Sequence, residues 1–209
     1  MASPSNRPKS RGSYKKSEVS RRQVLEAAVR ALSKRGYAKT SVSDIAHAAG
    51  MSKGAVHYHF ESKDDLIARV LEHCAAVSRE RVRIAWDAPG EPAEKITRAI
   101  HELRMMRRNS IPELRVLADL AAQGLHDERL RVLLGRMFET NRKEIADHLV
   151  SSLFAMGLKP KIPAQLVPRL LLGALDGLAM HDYFDPTGAA DDAALEQALR
   201  QIGLSLFEM

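Results

Sequence analysis

The sequence has one cysteine, Cys74. No internal disulfide can form, and nothing argues for an oxidising compartment. Aromatic residues make up only 5% of the 209 residues, while Ala and Leu are abundant. That balance favours helix over sheet. No run of about 18 apolar residues occurs, so no membrane span is expected, and no internal repeat is visible. The basic start lacks an apolar centre, unlike a secretory signal. HExxH and CxxC spacings are missing, as are GxSxG, the GxxxxGK[ST] phosphate loop and the dinucleotide-binding glycine pattern. Of the eight histidines (47, 57, 59, 73, 101, 126, 148 and 181), His57 and His59 lie about 200° apart around a helix and share no face. The expectation is a chain with no catalytic residue, no bound metal and no cofactor. Cys74 falls on an apolar helical stretch, where a thiol is buried and inert.

What is present is a basic excess confined to one end. Residues 1–69 hold 14 Lys and Arg against 6 Asp and Glu, while the rest of the chain holds 18 against 20. A positive charge concentrated in one lobe is the electrostatic footprint of a polyanion partner. At 45% hydrophobic, the chain can still build a proper core.

Hydrophobic periodicity and breaker residues predict nine helices and no strand, an all-α fold. Residues 1–17, rich in Ser, Pro and Lys/Arg, are expected to be a disordered basic arm. A helix over 18–35 follows, with Leu25, Ala28, Val29 and Leu32 on one face and Arg21 and Arg22 placed to touch phosphate. Ser41 with Asp44 forms a capping box that starts a second helix at Val42, and Gly50 stops it. Ser52 caps a third helix over 53–60, in which Val56 and Phe60, four apart, face inward. Ser62 with Asp65 starts a fourth helix at Lys63, running to about Ala85. Two short helices joined by a tight turn make a helix-turn-helix, with the second helix as the candidate reader of a DNA groove.

The same residues resemble a known family. Ser41-Val42-Ser43-Asp44-Ile45-Ala46, Ala49-Gly50-Met51-Ser52-Lys53-Gly54 and His57-Tyr58-His59-Phe60, followed by Lys63 and Leu66, are similar to the TetR family of bacterial transcriptional regulators. The resemblance covers about the first third of the chain. It departs at His57, where the family usually has Tyr, and Tyr58 sits one place later. It implies an N-terminal three-helix DNA-binding domain (18–69, motif 41–60) and a C-terminal effector-binding and dimerisation domain (70–209). The third helix would enter the major groove with Ser52, Lys53, Gly54 and Ala55 nearest the bases. Lys53 suits guanine or phosphate, Ala55 a thymine methyl, and Gly54 close backbone approach. Ser43 reaches a base edge or phosphate. Tyr58, His59 and Lys63 suit phosphate clamping, as do the helix starts capped by Ser41 and Ser62. His57 completes the outward-facing set.

Beyond the fourth helix, Pro89-Gly90-Glu91-Pro92 is a break, and helices are expected over 92–109, 112–123, 127–156, 163–183 and 191–207. Asp185-Pro186-Thr187-Gly188 is a turn. The helix over 163–183 is apolar around much of its circumference and needs cover on more than one side. That points to a homodimer. In the resembled family the last two helices of each subunit form a four-helix bundle, and a small-molecule pocket lies among helices 4 to 8. The candidate effector residues are Trp86, His101, Met105, Leu117, Met137, Phe138, Asn141, Asp176, Met180 and His181. Methionine suits a permissive apolar pocket. Asp176 interrupts an apolar helix: a buried carboxylate there would need a partner, a proton or a cationic ligand, while a dimer-interface hydrogen bond or a solvated edge is the reading favoured for it. Leu175-Asp176-Gly177-Leu178 resembles regulators of the choline–betaine type within the family.

The expected function is a ligand-responsive, dimeric DNA-binding regulator of transcription. The reading favours a cytoplasmic repressor that binds a palindromic double-stranded operator and is released by a small-molecule effector. An activator, a ligand-independent DNA-binding dimer, or a small-molecule or metal-binding protein with a basic lobe are the alternatives.

Overall fold

The computed structural model describes residues 11–184 and 192–208. Residues 1–10 of the basic arm and the turn Asp185–Gly188 lie outside the described residues. Nine helices are present among those described: α1 (Arg11–Arg35), α2 (Val42–Ala48), α3 (Lys53–His59), α4 (Lys63–Asp87), α5 (Pro92–Arg108), α6 (Pro112–Gly124), α7 (Glu128–Ala155), α8 (Leu166–Phe184) and α9 (Asp192–Ser205). The chain divides into two compact units, 1–70 and 71–209, and the division falls within α4. Among the described residues no helix is long and apolar enough to cross a membrane.

Two features depart from the sequence reading. Helix α1 starts at Arg11, not Glu18, so residues 11–17 are helical rather than part of a disordered arm. Arg and Lys are good helix formers, and no proline follows Pro8 in this stretch. With almost no apolar residue, the stretch carries no periodic mark. Secondly, two short strands exist: β1 (Lys159–Pro160) pairs antiparallel with β2 (Phe207–Glu208). The Lys161 N–H adds a 2.8 Å bond to the Leu206 carbonyl. A two-residue ladder between segments almost fifty residues apart leaves no local pattern.

The first unit is built on α1. Val24, Ala27, Ala28, Val29 and Leu32 are buried, and Ile45 and Ala46 of α2, Val56 and Phe60 at α3, and Leu66, Ile67 and Val70 of α4 complete the core. Gly50 closes the turn between α2 and α3 at φ +67°, a conformation that a residue with a Cβ rarely adopts.

In the second unit α5 packs on α8 and α9, α6 on α7, and α7 on α8. Trp86, Ile96, Ala99, Ile100, Leu153, Leu158, Val167, Leu175, Leu199 and Phe207 form one apolar cluster. Gly203 lets α9 approach α5, since a Cβ there would stand 2.8 Å from Ile100 Cδ1. The C-terminal carbonyls of α4 are capped from α5. Lys95 Nζ donates to the Trp86 and Ala88 carbonyls at 2.9 and 3.1 Å, and Arg98 donates to those of Ala85 and Ala88 at 3.1 and 2.8 Å. Helix α8 buries Val167, Pro168 and Leu175 and leaves a second, largely apolar face open: Leu170 is 54% and Met180 65% exposed. On that face Leu166, Arg169, Leu170, Gly173 and Ala174 line a shallow groove.

Candidate nucleic-acid interface

The candidate surface begins with two helix starts. At α2 the Asp44 N–H donates to Ser41 Oγ at 3.2 Å, and the Ser41 N–H and Oγ–H donate back to Asp44 Oδ2 at 2.9 and 2.6 Å. Both halves of the capping box are therefore made. Arg35 Nη1 adds a 2.9 Å bond to Asp44 Oδ1. The bonds from Ser41 and then the Arg35 guanidinium hold the Asp44 carboxyl down to about 2. At α3 the Ala55 N–H donates to Ser52 Oγ at 3.1 Å. Both starts anchor their helix without using the outward surface.

Ser41, Ser43, Ser52, Lys53, Gly54, His57 and Tyr58 are exposed, while Ala55, His59 and Lys63 are half-buried. A Cβ at Gly54 would meet nothing closer than Ser52 Oγ at 3.9 Å, so no packing within the chain calls for glycine there. Lys63 Nζ stands 4.1 Å from the centroid of the Tyr37 ring, a cation–π contact that fixes the ammonium at the start of α4. Tyr58 and His59 meet edge to face at 5.2 Å, and Arg21 lies over the Phe60 ring at 5.5 Å. Burial, and then the neighbouring Arg21, lower the pKa of His59 below the ordinary 6.5.

These two groups contribute to the acid response of the unit. Below pH 6.5 the unfolded chain takes up a proton at His59 that the folded chain resists. Stability present above pH 6.5 is therefore lost as pH falls through the lowered folded value. Asp44 acts in a lower window: its contribution persists down to its ordinary 3.8 and is lost as pH falls towards about 2. In thermal melts between pH 7.5 and 5.5 the wild type should lose stability on acidification and His59→Gln should lose less. Equal slopes for the two proteins would remove His59 from this account.

The candidate effector residues are distributed over the second unit. Trp86 belongs to the apolar cluster, while Met105, Leu117 and Met137 are half-buried. His101 Nδ1 lies 2.9 Å from Glu196 Oε1 of α9. Asn141 accepts a 2.8 Å bond from Arg79 Nη1, whose Nη2 stands 2.9 Å from Glu144. Phe138, Met180 and His181 are exposed. Asp176 is a solvated carboxylate rather than a buried one: its side chain is 58% exposed, and Arg107 Nη2 and Nε approach Oδ1 at 2.6 and 2.8 Å. The partner comes from α5, 69 residues earlier, and no local pattern reveals it. Cys74 is fully buried, and burial, with a smaller effect of Glu113, pushes its thiol up to about 12. Among the described residues no group of three His, Cys, Asp or Glu side chains is placed to hold a metal ion.

Comparison with known proteins adds to this geometry. Residues 24–70 match the family model of bacterial regulatory proteins of the tetR family. The HTH-type transcriptional regulator TtgR of Pseudomonas putida is 40% identical over 62 residues, 30% of this chain and 30% of its own length. BetI of Burkholderia thailandensis is 26% identical over 194 residues, covering 90% of this chain and 94% of that protein. A solved TetR family transcription regulator from Marinobacter aquaeolei superposes with a TM-score of 0.70 at 19% identity, covering 94% of this chain and all of that one. With a capped helix-turn-helix inside the matched stretch, residues 24–70 carry the DNA-binding domain of the tetR family of bacterial regulatory proteins, and the chain as a whole shares the fold of that solved regulator.

Proposed function

We propose that this protein is a cytoplasmic, homodimeric repressor that reads a palindromic DNA operator and is released from it by a small-molecule effector. The observation that carries the reading is the exposed start of α3. Ser52, Lys53 and Gly54 face outward from a helix whose inner side is held by Val56 and Phe60, within a strongly basic lobe. A helix presented in this way offers its first residues to base edges, while surrounding cations neutralise phosphate.

A dimer supplies the second reading head. The open face of α8 repeats at intervals of four and three residues: Leu166, Leu170, Gly173, Gly177, Met180 and Phe184, all exposed. Such a stripe suits a helix seam with another copy. Two heads about a two-fold axis would read half-sites about 34–36 Å apart. The effector acts by preferring a conformer whose heads no longer match that spacing, and its leverage is its difference in affinity for the two conformers.

Selection of bound sequences from a random DNA pool, at stated salt, tests the reading. An enriched palindrome is the expected result; binding that only tracks salt would refute it. On the selected operator, Lys63→Ala should weaken binding to all sequences and lower the salt slope, whereas changes at Lys53 or Ala55 should alter sequence preference. Identical effects of all three on operator and random DNA would sink the assignment of base-reading residues.

A further inference from the structure

Arg21 and Arg22 are adjacent in sequence and differ in surroundings. Arg22 is exposed and pairs with Glu26 on the next turn, Nε to Oε1 at 3.0 Å. Arg21 is half-buried, and among the described residues no carboxylate pairs with it. Its guanidinium carbon stands 5.5 Å from the centroid of Phe60, which is 1% exposed. A guanidinium held over a buried ring loses much of its freedom and keeps its charge. The charge is felt nearby, since Arg21 helps to withhold a proton from His59.

The position matters as much as the charge. Phe60 is the C-cap of α3 and His59 its last residue, so Arg21 stands at the end of the helix opposite Ser52 and Lys53. Seven residues at 1.5 Å each make α3 about 10 Å long. The major groove is about 8.5 Å deep and about 12 Å wide. A helix whose first residues touch base edges therefore carries its far end to the groove rim, where the phosphates are.

We propose that Arg21, braced on the Phe60 ring, is a DNA-backbone contact that takes a phosphate at the groove rim beside the end of α3. The inference rests on α3 being the groove-reading helix. The contact is independent of sequence and pre-formed, because the guanidinium needs no side chain to release it. A cation at the end of α3 also meets the negative pole of that helix, so a purely structural role is the competing account. The two roles differ in their salt dependence. A phosphate contact releases counterions and a structural cation does not.

The test compares Arg21→Gln with Arg30→Gln in the full-length protein. Arg30 is exposed on α1, nine residues further on and so on the opposite side of the helix. Both variants remove one charge from the same helix. Binding to the selected operator and to random DNA is measured across a salt series, with thermal melts alongside. Arg21→Gln should weaken both DNAs about 5- to 10-fold and lower the salt slope by about 1 per reading head. Arg30→Gln should leave the slope as in the wild type. Wild-type binding with an unchanged slope in Arg21→Gln, whatever its melting temperature, overturns this inference alone. A wild type that prefers no DNA sequence overturns the groove-reading assignment and this inference with it.

Discussion

Phe60→Ala will destabilise the first unit by about 3–5 kcal/mol, the range for removing a fully buried aromatic side chain. Phe60 is 1% exposed in a core shared with Val24, Ile45, Val56, Leu66 and Ile67, and its N–H closes α3 on the Val56 carbonyl at 3.0 Å. Single domains carry about 5–15 kcal/mol in total, and a unit of this size sits towards the lower end. At about 4–8 °C per kcal/mol, the transition of the unit should fall by at least about 12 °C. Circular dichroism with denaturant titration measures the loss, and a mobility shift should show operator binding vanish with it. Phe60→Leu keeps much of the apolar volume and should lose less than half as much. A loss below about 1 kcal/mol in Phe60→Ala would mean that this ring is not central to the core.

The second large effect concerns Gly177. Glycine inside a helix costs about 0.8–1 kcal/mol relative to alanine. Gly173 and Gly177 both lie well inside α8, four residues apart, and a Cβ at either would meet nothing within 4 Å. Packing inside the subunit gives no reason for two such residues, whereas Gly203 has one in the Ile100 side chain. On the proposed dimer seam the reason is close approach of two backbones. Gly177→Leu should therefore act in opposite directions on subunit and assembly. The isolated subunit should melt at the same temperature or slightly higher. The dimer dissociation constant should rise by about 30-fold or more, because an overpacked seam costs about 1–3 kcal/mol at each of two symmetry-related sites. Sedimentation over a concentration series reads the assembly, and operator affinity should fall with it. An unchanged dissociation constant would place the seam elsewhere.

The parts legible in the sequence are those specified by neighbours in the chain. Ser41 with Asp44, Gly50, and Ser52 with Ala55 lie within a few residues of one another, so their residue types already imply the caps and the turn that the structure contains. The spacing of Val56 and Phe60 likewise reports which side of α3 is buried. What the sequence hides is of two kinds: partners in other elements, and helix propensity without periodicity. Asp176 is exposed and held by Arg107, so the choice among its buried, interface and solvated readings depends on a residue of another helix. Arg21 and Arg22 read alike until Glu26 is seen to occupy one and Phe60 the other. The early start of α1 leaves no periodic mark, because a helix of charged residues has propensity without periodicity. The ten effector candidates rest largely on residue type, and several, such as Asn141 with Arg79 and His101 with Glu196, have partners in other helices.

The cap on α4 bears on the order in which the molecule is made. Its last carbonyls are met by Lys95 and Arg98, which leave the ribosome after α4 itself is complete. Until then the final turn of α4 has only water for those groups and frays, as any uncapped helix end does. The same bonds place the start of α5 against the finished end of α4. The end of one helix and the beginning of the next therefore become ordered together, as one cooperative step of biosynthesis.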